Sequence, residues 1–386
     1  MAIVWHLLTG EYPSTLEHAE PCGGVGDYTA SLADALAAEG DAVHVWAPRA
    51  SGSGRRGVTV HTLPDAFGRA SREMLERAFR DAPGVVLLQY VPAAMGRRGA
   101  NLAFCRWFSR VARTVPDARV MFHEPYFYFT WTRPWAPGNM LAVTQRLMAR
   151  ALVRGAGRVY QATDTWRRFL PGVDRMASLQ TLPIPSNVPA ADSMAGVAAF
   201  RDRAGGDAVP LAGHFGTYGA HVAQELRAIL PAVVARRPDI RIALIGQGGA
   251  AFMDTLKQTL PAVAARAFAT GRLDSASTAA ALRACDVLLQ PYPDGITTRR
   301  TSAMAGLANG VATVTSSGAL TEPVWAETGA VKLAPVGDPP AFACAIDALL
   351  RDPVAREALA RRGAEVYATR FSMPHTIAIL RGAPAP

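Results

Sequence analysis

The sequence predicts an α/β protein built as two doubly wound parallel-sheet domains, and three observations predict it. Short, continuous apolar runs alternate with amphipathic stretches along the chain, the pattern of parallel strands covered by helices on both faces. The chain has 386 residues, 50% apolar and 18% charged, which is more than one core comfortably holds and is globular rather than disordered. The alternation also breaks once, across Leu182–Asp207, where Pro183, Pro185, Pro189 and Gly205-Gly206 stand, and then restarts. Proline and glycine at that density punctuate secondary structure. The expected division is residues 1–190, a linker at 191–207, a second domain at 208–368, and a tail at 369–386 that could cross back to the first.

In the first half the strand-length runs are Ile3–Leu8, Val43–Ala47, Val58–Leu63, Val85–Val91, Val120–His123 and Val159–Ala162. Helical stretches between them include Tyr28–Glu39, Arg72–Arg80 and Asn101–Thr114. The opening run has no basic leader and no small-residue cleavage site after it, so it reads as a strand rather than a signal peptide. The second half repeats the pattern with Leu211–Gly216, Ile240–Gly246, Ala265–Thr270, Val287–Gln290, Ala312–Thr315 and Ala330–Leu333. Helices are expected at Ala220–Arg236, Ser275–Arg283 and Ser302–Asn309. Pro340–Arg351 and Pro353–Ala368 close the domain, with Asp338 and Asp352 as caps ahead of their prolines. Two such halves are expected to face a central cleft lined by strand carboxyl ends, the usual ligand position in this architecture.

Residues 291–315 carry the most information. The buried strand Val287–Gln290 ends in a Pro/Gly turn, and a helix of small residues follows, opened by Thr297, Thr298, Arg299, Arg300 and Ser302. Unpaired amides and the positive dipole end of a helix favour an anion at its start. Arg299 and Arg300 can each grip phosphate oxygens two donors at a time. A ligand diphosphate is the leading reading of this stretch, and a solvated arginine pair on an ordinary βα unit is the competing one. Asp294 and Gly295 belong to the same turn.

Other strand ends carry weaker signals. Gly23-Gly24-Val25-Gly26-Asp27 leads into a helix, where Gly24 and Gly26 would let backbone approach a ligand; Asp27 could instead be a simple cap. The order of these glycines is not the dinucleotide fingerprint. His123 ends a strand beside the aromatic run Tyr126–Phe129, placed either to bond a sugar hydroxyl or shuttle a proton, or to serve as a structural histidine. Gly216, Thr217 and Tyr218 occupy a strand-to-helix turn that could hold a phosphate oxygen. Gly271, Arg272 and Leu273 could present backbone groups to a nucleobase, and Glu322 could accept ribose hydroxyls or face solvent.

The net charge of +9 comes almost wholly from arginine, Lys257 and Lys332 being the only lysines. No dense basic tract with interleaved aromatics occurs, which argues against nucleic acid. Arg97, Arg98, Arg110 and Arg113 form either a face toward an anionic membrane or an ordinary solvated face. Cys22, Cys105, Cys285 and Cys344 are scattered and no histidine stands at metal-ligand spacing, so reduced cytoplasmic thiols are expected and no bound metal.

Taken together these segments resemble the family 4 retaining glycosyltransferases of the GT-B fold. Gly23–Thr29 with Leu32 and Leu36, then Gly40–Trp46, resembles the family's first βαβ unit. Pro238–Gly246 resembles a C-domain strand, Cys285–Tyr292 the strand leading to the donor site, and Ala303–Val311 the donor-site helix. The resemblance implies two Rossmann-like domains and transfer of a sugar, without cofactor or metal, from a nucleotide-diphosphate sugar acting as co-substrate. The acceptor would be a glycan, a lipid-linked saccharide or a small molecule, in polysaccharide, glycolipid or natural-product biosynthesis. His123, Arg299 and Arg300 would be catalytic, His123 positioning the donor sugar and the arginines stabilising the leaving diphosphate. Gly24, Gly26, Gly216, Thr217, Tyr218, Gly271, Arg272, Leu273, Asp294, Gly295, Thr297, Thr298, Ser302 and Glu322 would line the donor. Two departures stand out. The family's paired glutamates correspond here to Asp294 and Ser302, and its early C-domain Arg and Lys are replaced by Gly216–Gly219. A degenerate binding protein and a sugar-nucleotide epimerase are the alternatives.

Overall fold

A computed structural model describes residues 2–13, 24–50, 57–127, 129, 132, 135–170 and 179–382, the side chains of Arg97 and Pro137 excepted. The chain forms two compact units, one of Met1–Pro183 with Thr376–Pro386 and the other of Ile184–His375.

The first unit carries strands β1 (Val4–Leu8), β2 (Glu11–Tyr12), β3 (Ala42–Ala47), β4 (Arg49–Ala50), β5 (Val58–Thr62), β6 (Val85–Tyr90), β7 (Asp117–Phe122), β8 (Arg158–Gln161) and β9 (Leu179–Thr181). Seven of them make one sheet in the order β5-β3-β1-β6-β7-β8-β9, and every pairing is parallel. Helices α1 (Gly24–Ala38), α2 (Arg69–Asp81), α3 (Leu102–Val111) and α4 (Pro137–Gly155) lie between strands. Leu75 and Phe79 of α2, Phe104 and Phe108 of α3, and Met148 and Leu152 of α4 pack with Leu8, Leu88, Val120 and Val159 in one core. Asn101 caps α3, its side chain accepting from the Phe104 amide at 3.2 Å. The glycine-rich approach to α1 at Cys22 and Gly23 lies outside the described residues. Asp27 sits inside the first turn of α1 rather than at its cap, and burial pushes its carboxyl pKa up.

The second unit carries α5 (Met194–Ala204), β10 (Leu211–Phe215), α6 (Ala220–Arg236), β11 (Arg241–Ile245), α7 (Gly249–Thr259), α8 (Pro261–Ala264), β12 (Ala267–Gly271), α9 (Ser275–Arg283), β13 (Val287–Gln290), α10 (Thr301–Ala308), β14 (Thr313–Ser317), α11 (Pro323–Thr328), β15 (Lys332–Pro335), α12 (Pro339–Arg351) and α13 (Pro353–Val366). Its sheet is parallel in the order β12-β11-β10-β13-β14-β15. Strand residues alternate between two cores as strand geometry requires. Ala212, Ile242, Leu244, Val287 and Leu289 face α6, α7 and α12, while Leu211, Ala243, Ile245 and Leu288 face the side of α5 and α9. Asp338 and Asp352 cap α12 and α13 through the Ala341 and Ala355 amides.

Two boundaries differ from expectation. Residues 194–204, placed in a linker by sequence, are helix α5, capped by Ser193 and ended by Gly205 in the left-handed conformation. The unit boundary lies before it, at Pro183/Ile184. The last helix, α14 (Met373–Leu380), begins in the second unit and ends in the first. There the Arg381 guanidinium reaches the fully buried Asp41 carboxylate at 2.6 Å, which also accepts from Trp5 Nε1 and the Ile3 amide.

Candidate functional site

Sheet order fixes where a ligand can sit. Going out from β10, the second unit's strands run one way through β11 to β12 and the other way through β13 to β15. Loops at the carboxyl ends of β10 and β13 therefore leave in opposite directions, and a crevice opens between them. The residues after those two strands are Gly216–Gly219 and Pro291–Arg300. Gln290 ties the two strand ends together, donating from Nε2 to the Phe215 carbonyl at 3.1 Å.

The turn after β13 is held from beneath. Gly295 has φ +91, and a Cβ there would lie 2.1 Å from Thr321 Oγ1 and 2.5 Å from the Gly318 amide nitrogen, so only glycine fits. The Ile296 amide donates to the Ser316 carbonyl, and the Leu320 amide to the Asp294 carbonyl, fastening the turn to the end of β14 and the loop after it. Glu322 completes the clasp: its carboxylate accepts from the Thr298 amide and from Thr298 Oγ1. Glu322 is 2% exposed, which corrects the alternative that it faces solvent. Sequence could not show this, because the partner lies on a different loop.

The turn delivers two guanidiniums and a hydroxyl to the start of α10. Both arginines are half-buried. Arg300 stacks over the Tyr292 ring with 4.6 Å to the centroid. Burial, and then the charge of Arg299, press the Arg300 pKa down. Arg300 Nε and Thr297 Oγ1 are buried and lack hydrogen-bond partners among the described residues. Ser302 is half-buried and its hydroxyl pairs with the buried Tyr292 hydroxyl at 2.8 Å. Asp294 is exposed.

Across the crevice, His214 near the end of β10 donates from Nδ1 to the Leu289 carbonyl at 2.7 Å, since a carbonyl can only accept. Its Nε2 is then a lone pair, buried and without a partner among the described residues, as is Gln290 Oε1. Burial lowers the His214 pKa to about 4, so the ring is neutral at physiological pH. Tyr218 takes a left-handed backbone, φ 57, and its hydroxyl donates to the His214 and Ile245 carbonyl region at 3.1 and 3.3 Å. Gly248 sits beneath it, where a Cβ would meet the Thr217 carbonyl at 2.5 Å. Thr217 is exposed, Gly216 half-buried. Gly271 ends β12 with φ +70, followed by exposed Arg272 and half-buried Leu273.

The structure thus gathers Gly216, Thr217 and Tyr218 with Asp294 to Ser302 at one switch point of one sheet, and sequence reasoning missed His214 and Gln290 as members. Gly24, Gly26 and His123 belong to the first unit. Gly24 opens α1 with nothing within 4 Å of a Cβ, and Gly26 is buried two residues on. His123 is buried just past β7, its Nε2 2.7 Å from Gln89 Oε1 and its ring edge-on to Tyr28. No cluster of potential metal ligands occurs among the described residues.

Comparison with known proteins bears on the fold. Residues 211–352 match the family model described as glycosyl transferases group 1. A stretch of 140 residues is 32% identical to a phosphatidyl-myo-inositol mannosyltransferase of Mycolicibacterium smegmatis, covering 36% of this chain and 35% of that relative, about a third of its length. Among solved structures, sucrose-phosphate synthase from Thermosynechococcus elongatus superposes with a TM-score of 0.70 at 16% identity, over 98% of this chain and 97% of that one. Anabaena Alr3699/HepE in complex with UDP-glucose gives 0.64 at 13% identity over 98% of each chain. Likeness at these identities establishes the fold, which is GT-B.

Proposed function

Since the second unit carries a glycosyl transferases group 1 domain on a GT-B chain, we propose that the protein is a glycosyltransferase using a nucleotide-diphosphate sugar. The observation that carries this is Arg300 beside Thr297 at the opening of α10: a half-buried cation and a buried hydroxyl, each with a buried hydrogen-bonding atom unused among the described residues, at a topological switch point. A diphosphate satisfies both.

The chemistry follows from charge. The bond between the anomeric carbon and the diphosphate oxygen breaks, the acceptor oxygen bonds to that carbon, and the acceptor proton passes to the leaving oxygen. Negative charge grows on the leaving group, and fixed donors aimed there lower the barrier. Arg299, Arg300 and the first amides of α10, which have no partner inside the helix, supply that charge in place of a divalent ion. Proton transfer to the leaving oxygen keeps the acceptor on the same face, so the product retains configuration. Gly216–Tyr218 and Gly271–Leu273 would receive phosphate and base, and Asp294 the sugar end. His123 in the first unit would meet a sugar hydroxyl. The HepE complex with UDP-glucose and the lipid in the mannosyltransferase's name support a nucleotide-sugar donor and a lipid-linked acceptor.

A screen of nucleotide-diphosphate sugars, read as released nucleoside diphosphate with and without EDTA, tests this. The expected result is one preferred donor and turnover unchanged by EDTA. Loss of turnover with EDTA removes the metal-independent mechanism. Ser302, whose hydroxyl is paired with Tyr292 where the family resemblance implies a carboxylate, favours a second reading, a binding protein without turnover. Calorimetric donor binding without product would select it.

A further inference from the structure

We propose that the outer face of α4, in the first unit, is a docking surface for an anionic lipid bilayer. Large apolar side chains exposed to water gather here: Trp135 is 96% exposed, Met140 78%, Val143 47% and Leu147 46%. On a helix of 3.6 residues per turn, Met140, Val143, Leu147, Arg150 and Arg154 fall on one stripe, and all five are exposed. The stripe is apolar over its first two turns and cationic over its last two. The opposite face is ordinary core, with Met148, Ala149, Leu152 and Val153 buried.

Charge selects the occupant. Neither α3 nor α4 contains an acidic residue. Beside α4, α3 packs and exposes Arg106 and Arg110, with exposed Arg113 just beyond its end. Helix α2 of the same unit is the internal control: its solvent side mixes Arg69, Glu73, Arg77 and Asp81, the usual pattern of a face that meets only water. A face with protruding Trp, Met and Leu at one end and arginines of one sign at the other is that of an interfacial helix. The apolar end enters the acyl boundary, and Arg150 and Arg154 bond lipid phosphates while their stems stay with the apolar layer.

Flotation of the full chain with vesicles tests the proposal, and it needs no donor, so it can fail while the transferase reading stands. With equal parts phosphatidylglycerol and phosphatidylcholine the protein co-floats, and with phosphatidylcholine alone it does not. The double variant Arg150→Gln/Arg154→Gln weakens partitioning by about 30-fold, the effect of two interfacial charges. Met140→Ser/Leu147→Ser weakens it by more than about tenfold. Both pairs are exposed, so the thermal midpoint serves as the folding check and stays within a degree or two of wild type. Equal binding to both vesicles, no flotation, or variants that float like wild type would each overturn the assignment, the second also leaving a protein partner as the occupant.

Discussion

The two units repeat one strand order, yet their switch points carry different chemistry. In the first unit the crevice lies between β1 and β6, where Thr9, Tyr28, Gln89 and Tyr90 are buried with unpaired side-chain atoms among the described residues, and the first turn of α1 adds the carboxyl of Asp27. In the second unit the crevice lies between β10 and β13, and beside its own unpaired atoms stand Arg299, Arg300 and a helix start. Topology sets where a ligand binds, and the loop residues set which ligand. A crevice bearing hydroxyls, amides and a carboxyl suits sugar hydroxyls, whereas a cationic one suits phosphate.

The contrast breaks most sharply at Arg300. Replacing it with Ala is expected to cut turnover and nucleoside-diphosphate affinity by about 100- to 1,000-fold, the effect of one preorganised anion contact, while Gln89→Ala in the first unit leaves nucleoside-diphosphate affinity unchanged. Calorimetry with the nucleoside diphosphate alone checks both. If Arg300→Ala binds as wild type does, the charge distinction between the two crevices has no functional meaning.

A second contrast is titratable. His214 is held neutral by burial, its folded pKa near 4 lying below the unfolded 6.5. The unfolded ring therefore binds a proton first as pH falls, and stability present above pH 6.5 is lost on the way down through pH 4. The contribution lost by pH 4 is about 3 kcal/mol. Unfolding of wild type and His214→Gln, followed in denaturant from pH 7 to pH 4, should show the gap between them shrinking by that amount. A gap independent of pH sinks the idea.

A smaller effect sharpens the role of the clasp. Gly295→Ala forces a Cβ into Gly318 and Thr321 from a left-handed backbone, costing about 2 kcal/mol of stability. Thermal melts and donor binding should fall together, because the strained turn is the one that carries the arginines. A variant that melts lower yet binds normally separates the two.

Much of this was legible beforehand because its signals are local. Strand β13 matches the expected Val287–Gln290, and α6 and α9 match their expected bounds, since apolar runs and periodicity are properties of short windows. The arginine pair at the start of α10 was visible for the same reason. Helix α4 was missed because its outer stripe is itself partly apolar, which blurs the one-sided pattern that marks a surface helix. Helix α5 hid behind prolines and glycines, although Ser193 and Gly205 were its start and stop. What no window shows is pairing across the fold. Glu322 with Thr298 spans 24 residues, and His214 with Leu289, like Gln290 with Phe215, spans 75. Those contacts exist because parallel strands far apart in sequence lie side by side, and they decide which polar atoms remain for a ligand.

The seating of Thr298 on Glu322 bears on speed as well as strength. A turn already ordered when the chain folds loses little further conformational entropy when nucleotide arrives. Association should therefore proceed in a single kinetic phase whose observed rate rises linearly with nucleotide concentration.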